Sequence, residues 1–304
     1  MEANTAKFMS ARLEAKEIKL GRLFSEQFIF KIPIYQRPLS WSEDNFGKLI
    51  EDVCDAIKNN DKQYFLGSII LQRLDDITYE VVDGQQRLTA LAILLAVLRD
   101  AIDDAGDKST IQSYVYQKED RFRKIPEIMR IMPWEELENL FKTYIYTRDG
   151  TKRLLEDFEN EKVRYVDKQD PTYHLYEAVN TYYKYIPKID LENFLTYLLS
   201  SLYLVYIKTS SLTSAFRLFT VLNTRGLQLT AADILKSENL GLISDEKRID
   251  YAKKWRQLED DLGREELDEV IGFVRTIKAE ERARFSVNEQ YRKLFDKNLI
   301  EKGT

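Results

Sequence analysis

Tyr79-Glu80-Val81-Val82-Asp83-Gly84-Gln85-Gln86-Arg87-Leu88-Thr89 carries a strand into a helix across a single glycine. Thr78 to Val82 is β-branched and aromatic, as a half-buried strand requires. From Gln85 to Ile102 the pattern becomes helical, with Leu88, Leu91, Leu95 and Leu98 on one stripe. Ala92, Ile93, Leu94 and Val97 fill the other faces, which predicts a buried central helix. Free N–H groups at such a helix start, reinforced by the dipole, make an anion site. Arg87 adds a planar fork suited to phosphate. Gly84 lets backbone approach a ligand closely. A second account competes on equal terms. Asp83 and Gln86 have the spacing of a capping box, which would close the helix start with its own side chains. A carboxylate there also repels phosphate, so a bound nucleotide would need Asp83 to hold a divalent cation or meet a hydroxyl.

Outward from that joint, Tyr64 to Leu71 is a second β-rich run, linked to the first through Leu74-Asp75-Asp76 as a predicted hairpin. Glu43 to Lys58 places Phe46, Leu49, Ile50, Val53 and Ile57 on one helical face. Ser42 is its predicted N-cap, with Glu43 and Asp44 in the first turn, where the dipole favours acids. Phe28 to Ile34 is a β-rich run that stops around Pro33. From about 103 to 200 the sequence reads as helical, charged and tyrosine-rich, with no clear strand run. There Tyr173, Tyr176, Asn180 and Tyr183 recur at helical spacing. A packing face explains them better than a base-stacking platform, which usually comes with a strong basic groove. Leu202 to Ile207 returns to β character. A helix from Thr213 to about Asn223, a turn at Gly226, a helix from Ala231 and a charged helical tail from Asp245 complete the pass. The charged C-terminal end is expected to be a point of truncation.

Two further segments hold chemistry-bearing residues. In Ile32-Pro33-Ile34-Tyr35-Gln36-Arg37-Pro38-Leu39-Ser40-Trp41, two prolines stiffen a loop presenting Tyr35, Gln36 and Arg37. Those types suit a base or a phosphate, and an ordinary surface loop carries them equally well. In Phe219 to Lys236, Asn223 and Gly226 fit a helix end, and Thr230 with Asp233 fits the next helix start. Capping does not account for Arg225 and Lys236, whose charges could meet an anion.

Composition narrows the chemistry. The chain has 304 residues, 44% hydrophobic and 32% charged, as a globular protein with a real core requires. No apolar run approaches the roughly 20 residues of a membrane span; the longest, Leu88 to Leu98, is interrupted by Thr89. The N-terminus lacks the apolar core of a signal peptide. One cysteine, Cys54, cannot form an intramolecular disulfide and fits a reducing, cytoplasmic setting. The net charge of -5 draws no nucleic acid to the molecule as a whole, so any DNA contact is a local patch or a partner domain. One histidine, His174, stands apart from acidic or amide motifs. Zinc hydrolase, HNH nuclease and Ser-His-Asp chemistry all need histidine beside other groups, and a surface or packing role suits this one.

Taken in order, four motifs resemble a known family: Ile32 to Trp41, Phe65 to Ile69, Asp83 to Thr89, and Asn223 to Lys236. They are similar to those of the DUF262 proteins, the N-terminal domain of GmrSD-type restriction enzymes, over roughly residues 15 to 245. Leu39 stands where an aromatic is usual and Ala90 where a second threonine is common. The resemblance implies an α+β fold, a ParB/sulfiredoxin-like mixed-sheet core with a large helical elaboration. In that scheme 1–102 is the core, 103–200 a helical insertion, 201–245 a return to the core, and 246–304 a helical C-terminal segment. It also implies a nucleotide-binding or triphosphate-hydrolysing regulator of the restriction of modified or foreign DNA. The sulfiredoxin relatives use a cysteine, but Cys54 lies inside the 43–58 helix, which argues against redox chemistry. The HNH nuclease half, absent here, would act in cis or in trans.

The resulting expectation names residues and roles. Asp83, Gln86 and Arg87 are the catalytic candidates, with Asp83 placing a magnesium ion or the attacking water. Gly84, Gln85 and Thr89 hold the nucleoside triphosphate. Tyr35, Gln36 and Arg37 close over it, and Asn223, Arg225 and Lys236 complete the charge shell. DNA is the expected macromolecular partner, and a second copy of the chain is a further candidate. The chief alternative is a non-hydrolysing DNA-binding module that uses the same pocket. A third account, in which the motifs are only caps and packing, predicts that neither ligand protects the chain from thermal unfolding.

Overall fold

The computed structural model describes residues 13–33, 36–119, 121–122, 127–168, 170–210, 212, 214–215, 218–219, 230–243, 245–280, 291 and 294. They divide into two compact units, one from 13–33 and 38–208, the other holding 36–37 and the described residues from 209 onward.

The first unit is α+β. Its strands are β1 (Glu14–Lys19), β2 (Ile29–Lys31), β3 (Tyr64–Arg73), β4 (Thr78–Asp83), β7 (Ile131–Met132) and β8 (Leu202–Thr209). They form a six-stranded sheet in the order β1-β8-β3-β4-β2-β7, while β5 (Tyr116–Gln117) and β6 (Ile128–Met129) make a small separate pair. β3 and β4 form the predicted hairpin, antiparallel, with Ile70 opposite Asp83 and a register irregularity between Ile70 and Leu71. Asp75 holds its turn: one carboxylate oxygen accepts from the N–H groups of Ile77 and Thr78 at 2.9 and 2.7 Å. β2 runs parallel to both β4 and β7. It is shorter than the run from Phe28 predicts, because β7 offers a partner only two residues long. Ile34 lies outside the described residues.

The helices are α1 (Leu20–Leu23), α2 (Glu43–Lys58), α3 (Gln85–Ala101), α4 (Ala105–Val115), α5 (Glu135–Leu140), α6 (Gly150–Glu159), α7 (Pro171–Tyr185) and α8 (Leu191–Ser200). One π-helical turn, Phe141–Ile145, follows α5. α2 starts where the sequence predicts, with Asn45 Oδ1 accepting from the Ser42 N–H at 3.1 Å. α3 is the buried central helix: every residue from Leu88 to Asp100 is buried. The expectation of no strand between 103 and 200 is corrected by β5, β6 and β7. They are too short to leave a periodic signal, and β7 is recruited to the sheet edge by backbone bonding, Phe30 N–H to Arg130 O at 2.8 Å and Ile32 N–H to Met132 O at 2.9 Å.

Within that buried helix sits an ion pair. Arg99 and Asp100 are fully enclosed and bonded to each other at 2.7 and 2.9 Å. Arg99 also donates to Gln112 Oε1 and to the carbonyls of Ile145 and Thr147, each at 2.8 Å. Asp100 accepts from the N–H groups of Asp149 and Thr151 and from the Thr151 hydroxyl. The pair thereby fixes α4, the end of the π-turn and the start of α6 onto α3. A buried charge is tolerable because every partner is supplied.

The tyrosines of α7 pack. Phe158 is sandwiched between Tyr176, at 3.7 Å between ring centres, and Tyr165, at 5.1 Å. The Tyr183 hydroxyl meets Thr151 Oγ1 at 2.8 Å. His174 lies on the same helix, its Nδ1 3.5 Å from Glu177 Oε2.

The second unit contains α9 (Ala231–Leu242), α10 (Asp245–Leu262) and α11 (Arg264–Ala279). Thr230 and Asp233 form the predicted reciprocal cap at the start of α9. Ala232 and Leu235 of α9 pack with Leu267 and Ile271 of α11. The helix predicted from Thr213 to Asn223 and the turn at Gly226 lie largely outside the described residues.

Candidate functional site

The joint between β4 and α3 is built by two glycines. Gly84 adopts φ +90°, a conformation that side chains rarely tolerate, and turns the chain at once from strand to helix. A Cβ there would stand 2.5 Å from Ile69 Cγ2, so the helix start is drawn tightly against β3. Gly67 on β3, at φ +125°, leaves the place where its side chain would be to the Arg87 guanidinium, which approaches to 3.2 Å. Arg87 therefore lies over the strand rather than extending into solvent.

The Arg87 guanidinium is poorly satisfied. Its Nη1 donates to the Ser68 carbonyl at 2.9 Å, and it forms no ion pair with any described residue. Burial lowers its pKa, while the nearby Asp83 carboxylate and the Tyr64 phenol act in the opposite sense. A guanidinium offers five N–H donors, and a cation enclosed with few acceptors is poised to take an anion.

The capping-box account is corrected. The N-cap of α3 is Gly84, which has no side chain with which to cap the helix. Gln86 is turned elsewhere: its Nε2 donates to the Pro38 carbonyl at 2.6 Å and its Oε1 accepts from the Ser40 N–H at 2.9 Å. Both ends of the amide hold the Pro38–Ser40 loop, whose Leu39 is sunk in the core at 1% exposure. A left-handed glycine at the joint displaces Asp83 from the N-cap position, which is why the spacing misleads.

Gln85 differs from its neighbour. It is 7% exposed, yet its carboxamide makes no hydrogen bond among the described residues. It is also not among the polar atoms sealed from solvent without a partner. Thr89 is fully enclosed, its hydroxyl unpartnered and out of reach of solvent.

Four residues missed from the sequence, Tyr64, Asp52, Lys48 and Gly67, belong to the surroundings of Arg87. Tyr64 donates its hydroxyl to Asp52 Oδ2 at 3.1 Å, and Asp52 Oδ1 pairs with Lys48 at 2.8 Å. Burial and then the Asp52 hydrogen bond push the Tyr64 phenol up, while Lys48 and Arg87 pull the other way. Lys48 and Asp52 were legible as an i,i+4 pair on α2, and Gly67 as a glycine inside a strand, a mark of close approach. Nothing in the sequence tied either to Arg87.

Asp83, Gly84, Gln85, Gln86, Arg87 and Thr89 thus share one strand–helix joint. Gln36 and Arg37 group with the second unit. So does Lys236, whose ammonium is buried against Glu259 Oε2 at 2.6 Å, while Trp255 Nε1 donates to Glu259 Oε1 at 3.1 Å. Tyr35, Asn223 and Arg225 lie outside the described residues. No cluster of three or more potential metal-ligating side chains occurs among the described residues, and none of the helices described is long and apolar enough to cross a membrane.

The family model described as GmrSD restriction endonuclease, N-terminal domain, matches residues 20–240, a span that contains the whole joint. No curated protein matches the chain.

Proposed function

The chain belongs to the family of the GmrSD restriction endonuclease N-terminal domain, and from that membership we propose that the β4–α3 joint binds and hydrolyses a nucleoside triphosphate. The family places the chain in a restriction system that acts on DNA beside a nuclease partner domain. The finer reading makes this domain its sensor: nucleotide state gates the nuclease against modified or foreign DNA.

The observation that carries the reading is the partly buried Arg87 guanidinium, which among the described residues makes a single hydrogen bond, beside a helix start whose N-cap is a glycine. Phosphate oxygens complete both. They accept from the N–H groups at the head of α3, aligned with its dipole, and from the guanidinium fork. Asp83, at the strand end beside Arg87, is the residue that would hold magnesium. One carboxylate together with phosphate oxygens is a usual donor set for that ion, which would supply charge neutralisation there. Hydrolysis then rests on positioning and electrostatics, as phosphoryl transfer does in general.

Calorimetric titration with tripolyphosphate and with a non-hydrolysable triphosphate, alongside a phosphate-release assay, tests the reading. Wild-type protein is expected to bind both, and Arg87→Ala neither. Failure of the wild type to bind either ligand overturns it. Binding of DNA with a steep salt dependence and no phosphate release would identify a DNA-binding module instead.

A further inference from the structure

We infer that the outward face of α11 is a docking surface for one amphipathic helix of a partner protein, with an apolar stripe about four turns long and basic residues at both ends. The surface belongs to the second unit, and the inference stands whatever the β4–α3 joint binds.

α11 has two apolar faces. Leu267 and Ile271 turn inward and pack with Ala232 and Leu235 of α9, with Trp255 and Tyr291 against them. Val270, Phe273, Val274 and Ile277 follow the i, i+3, i+4, i+7 spacing of a single helix stripe. None of the four joins that cluster, and all are exposed, Phe273 at 64% and Ile277 at 75%. Single apolar residues on a surface need no explanation. Four in register on one stripe, with Leu258 and Leu262 also exposed at the end of α10, form the kind of surface on which a partner helix lays its own apolar face.

The charges at the ends of the stripe choose the occupant. Glu266 stands one turn before Val270 and Glu280 one turn after Ile277, so an exposed carboxylate marks either end. Glu269 adds a third on the flank. Among the described side chains of the helix, the exposed cation is Lys278, about 100° round from Ile277. A second copy of the chain fits poorly. Superposing two stripes about a two-fold axis sets Glu266 beside Glu280 of the other copy when the helices run antiparallel. When they run parallel, each glutamate meets its own equivalent. Like charges oppose both pairings, and an anionic membrane surface meets the same repulsion. A helix with Leu, Ile or Phe at the same spacing, and Lys or Arg about 14 residues apart at its ends, covers the stripe and pairs both carboxylates across about 21 Å.

The test titrates the full chain with fluorescent peptides of about 18 residues, long enough to span both ends. One carries an amphipathic leucine stripe with lysines at both ends. A second carries the same stripe with glutamates at both ends, and a third scrambles the first so that its leucines no longer share a face. Wild-type protein is expected to bind the first at least about tenfold tighter than the other two, a gap of about 1.4 kcal/mol. Phe273→Asp, whose site lies outside the core, is expected to melt as the wild type does and to weaken that binding at least about tenfold. Glu266→Lys combined with Glu280→Lys is expected to reverse the preference, taking the glutamate-ended peptide over the lysine-ended one. Equal affinity for the three peptides, binding to none, unchanged binding in Phe273→Asp, or a charge-reversed variant that keeps the wild-type preference overturns the inference. So does sedimentation of the wild type as a dimer that Phe273→Asp dissociates, which makes a second copy the occupant. Wild-type binding to vesicles of anionic phospholipid that Phe273→Asp abolishes overturns it in favour of a membrane.

Discussion

Replacing Arg87 by methionine separates a ligand-binding arginine from a structural one. Among the described residues the side chain makes one charged hydrogen bond, to the Ser68 carbonyl, worth about 1.5–3 kcal/mol. Against it stands the desolvation of a partly buried guanidinium, up to a few kcal/mol, with no ion pair among the described residues to offset it. The two nearly cancel, and methionine restores most of the packing over Gly67. Arg87→Met is therefore expected to melt within about 3 °C of the wild type, since a change of about 1 kcal/mol moves Tm by about 2–4 °C in a chain of this size class. Ligand response should differ sharply. A triphosphate at about 100 times its Kd stabilises the folded state by about 2.7 kcal/mol, a rise of about 5–10 °C on the same scale. That rise is expected in the wild type and absent in Arg87→Met, read by thermal melts with and without ligand. A variant that unfolds more than about 10 °C below the wild type, or that keeps the full ligand-induced rise, refutes the reasoning.

Asp100→Asn should be costly in a way Arg87→Met is not, because it leaves buried Arg99 unpaired: about 3–5 kcal/mol, seen as a lower urea midpoint with unchanged slope. The same carboxylate gives a pH signature. Burial would raise its pKa, but the Arg99 and Thr151 donors outweigh burial and hold it below the ordinary value. The unfolded chain then binds the proton first as pH falls, so this stabilisation is present above about pH 4, the unfolded carboxylate range, and is lost as pH falls through the lower folded value. The acid-unfolding curve of Asp100→Asn should be shallower there; an unchanged curve rejects the assignment. Gly84→Ala forces a Cβ to 2.5 Å from Ile69 Cγ2 at φ +90°, which should cost about 2–5 kcal/mol from strain and overpacking together, measured by thermal melts. Gly67→Ala pushes a methyl against the Arg87 guanidinium and should weaken tripolyphosphate binding at least about tenfold, or 1.4 kcal/mol, in calorimetry.

The strand–glycine–helix joint was legible because each part has its own local cause. β-branched residues make the strand, a glycine makes the turn, and an apolar run makes the helix. Local rules also located the hairpin turn at Asp75, the start of α2 at Ser42 and the cap of α9 at Thr230. They failed where the partner is remote in sequence. Asp83 and Gln86 have the spacing of a cap, but Gln86 bonds to Pro38 and Ser40 more than forty residues away. Arg99 and Asp100, inside an apolar helix, gave no sign of the groups from Gln112 to Thr151 that neutralise them. Strand β7 is two residues long and exists only because β2 has an open edge.

Sequence by itself determined the family, the α+β class and the place where a helix head opens after a strand, because motifs and periodicity are properties of neighbouring residues. Tertiary structure alone decided which of the two glutamines is already engaged, and that Arg87 lies folded over Gly67 short of acceptors. It also decided that Lys236 is neutralised by Glu259. Those outcomes depend on which groups meet across distant segments, and a side chain's chemistry is set by the partners it has left over once the chain is packed.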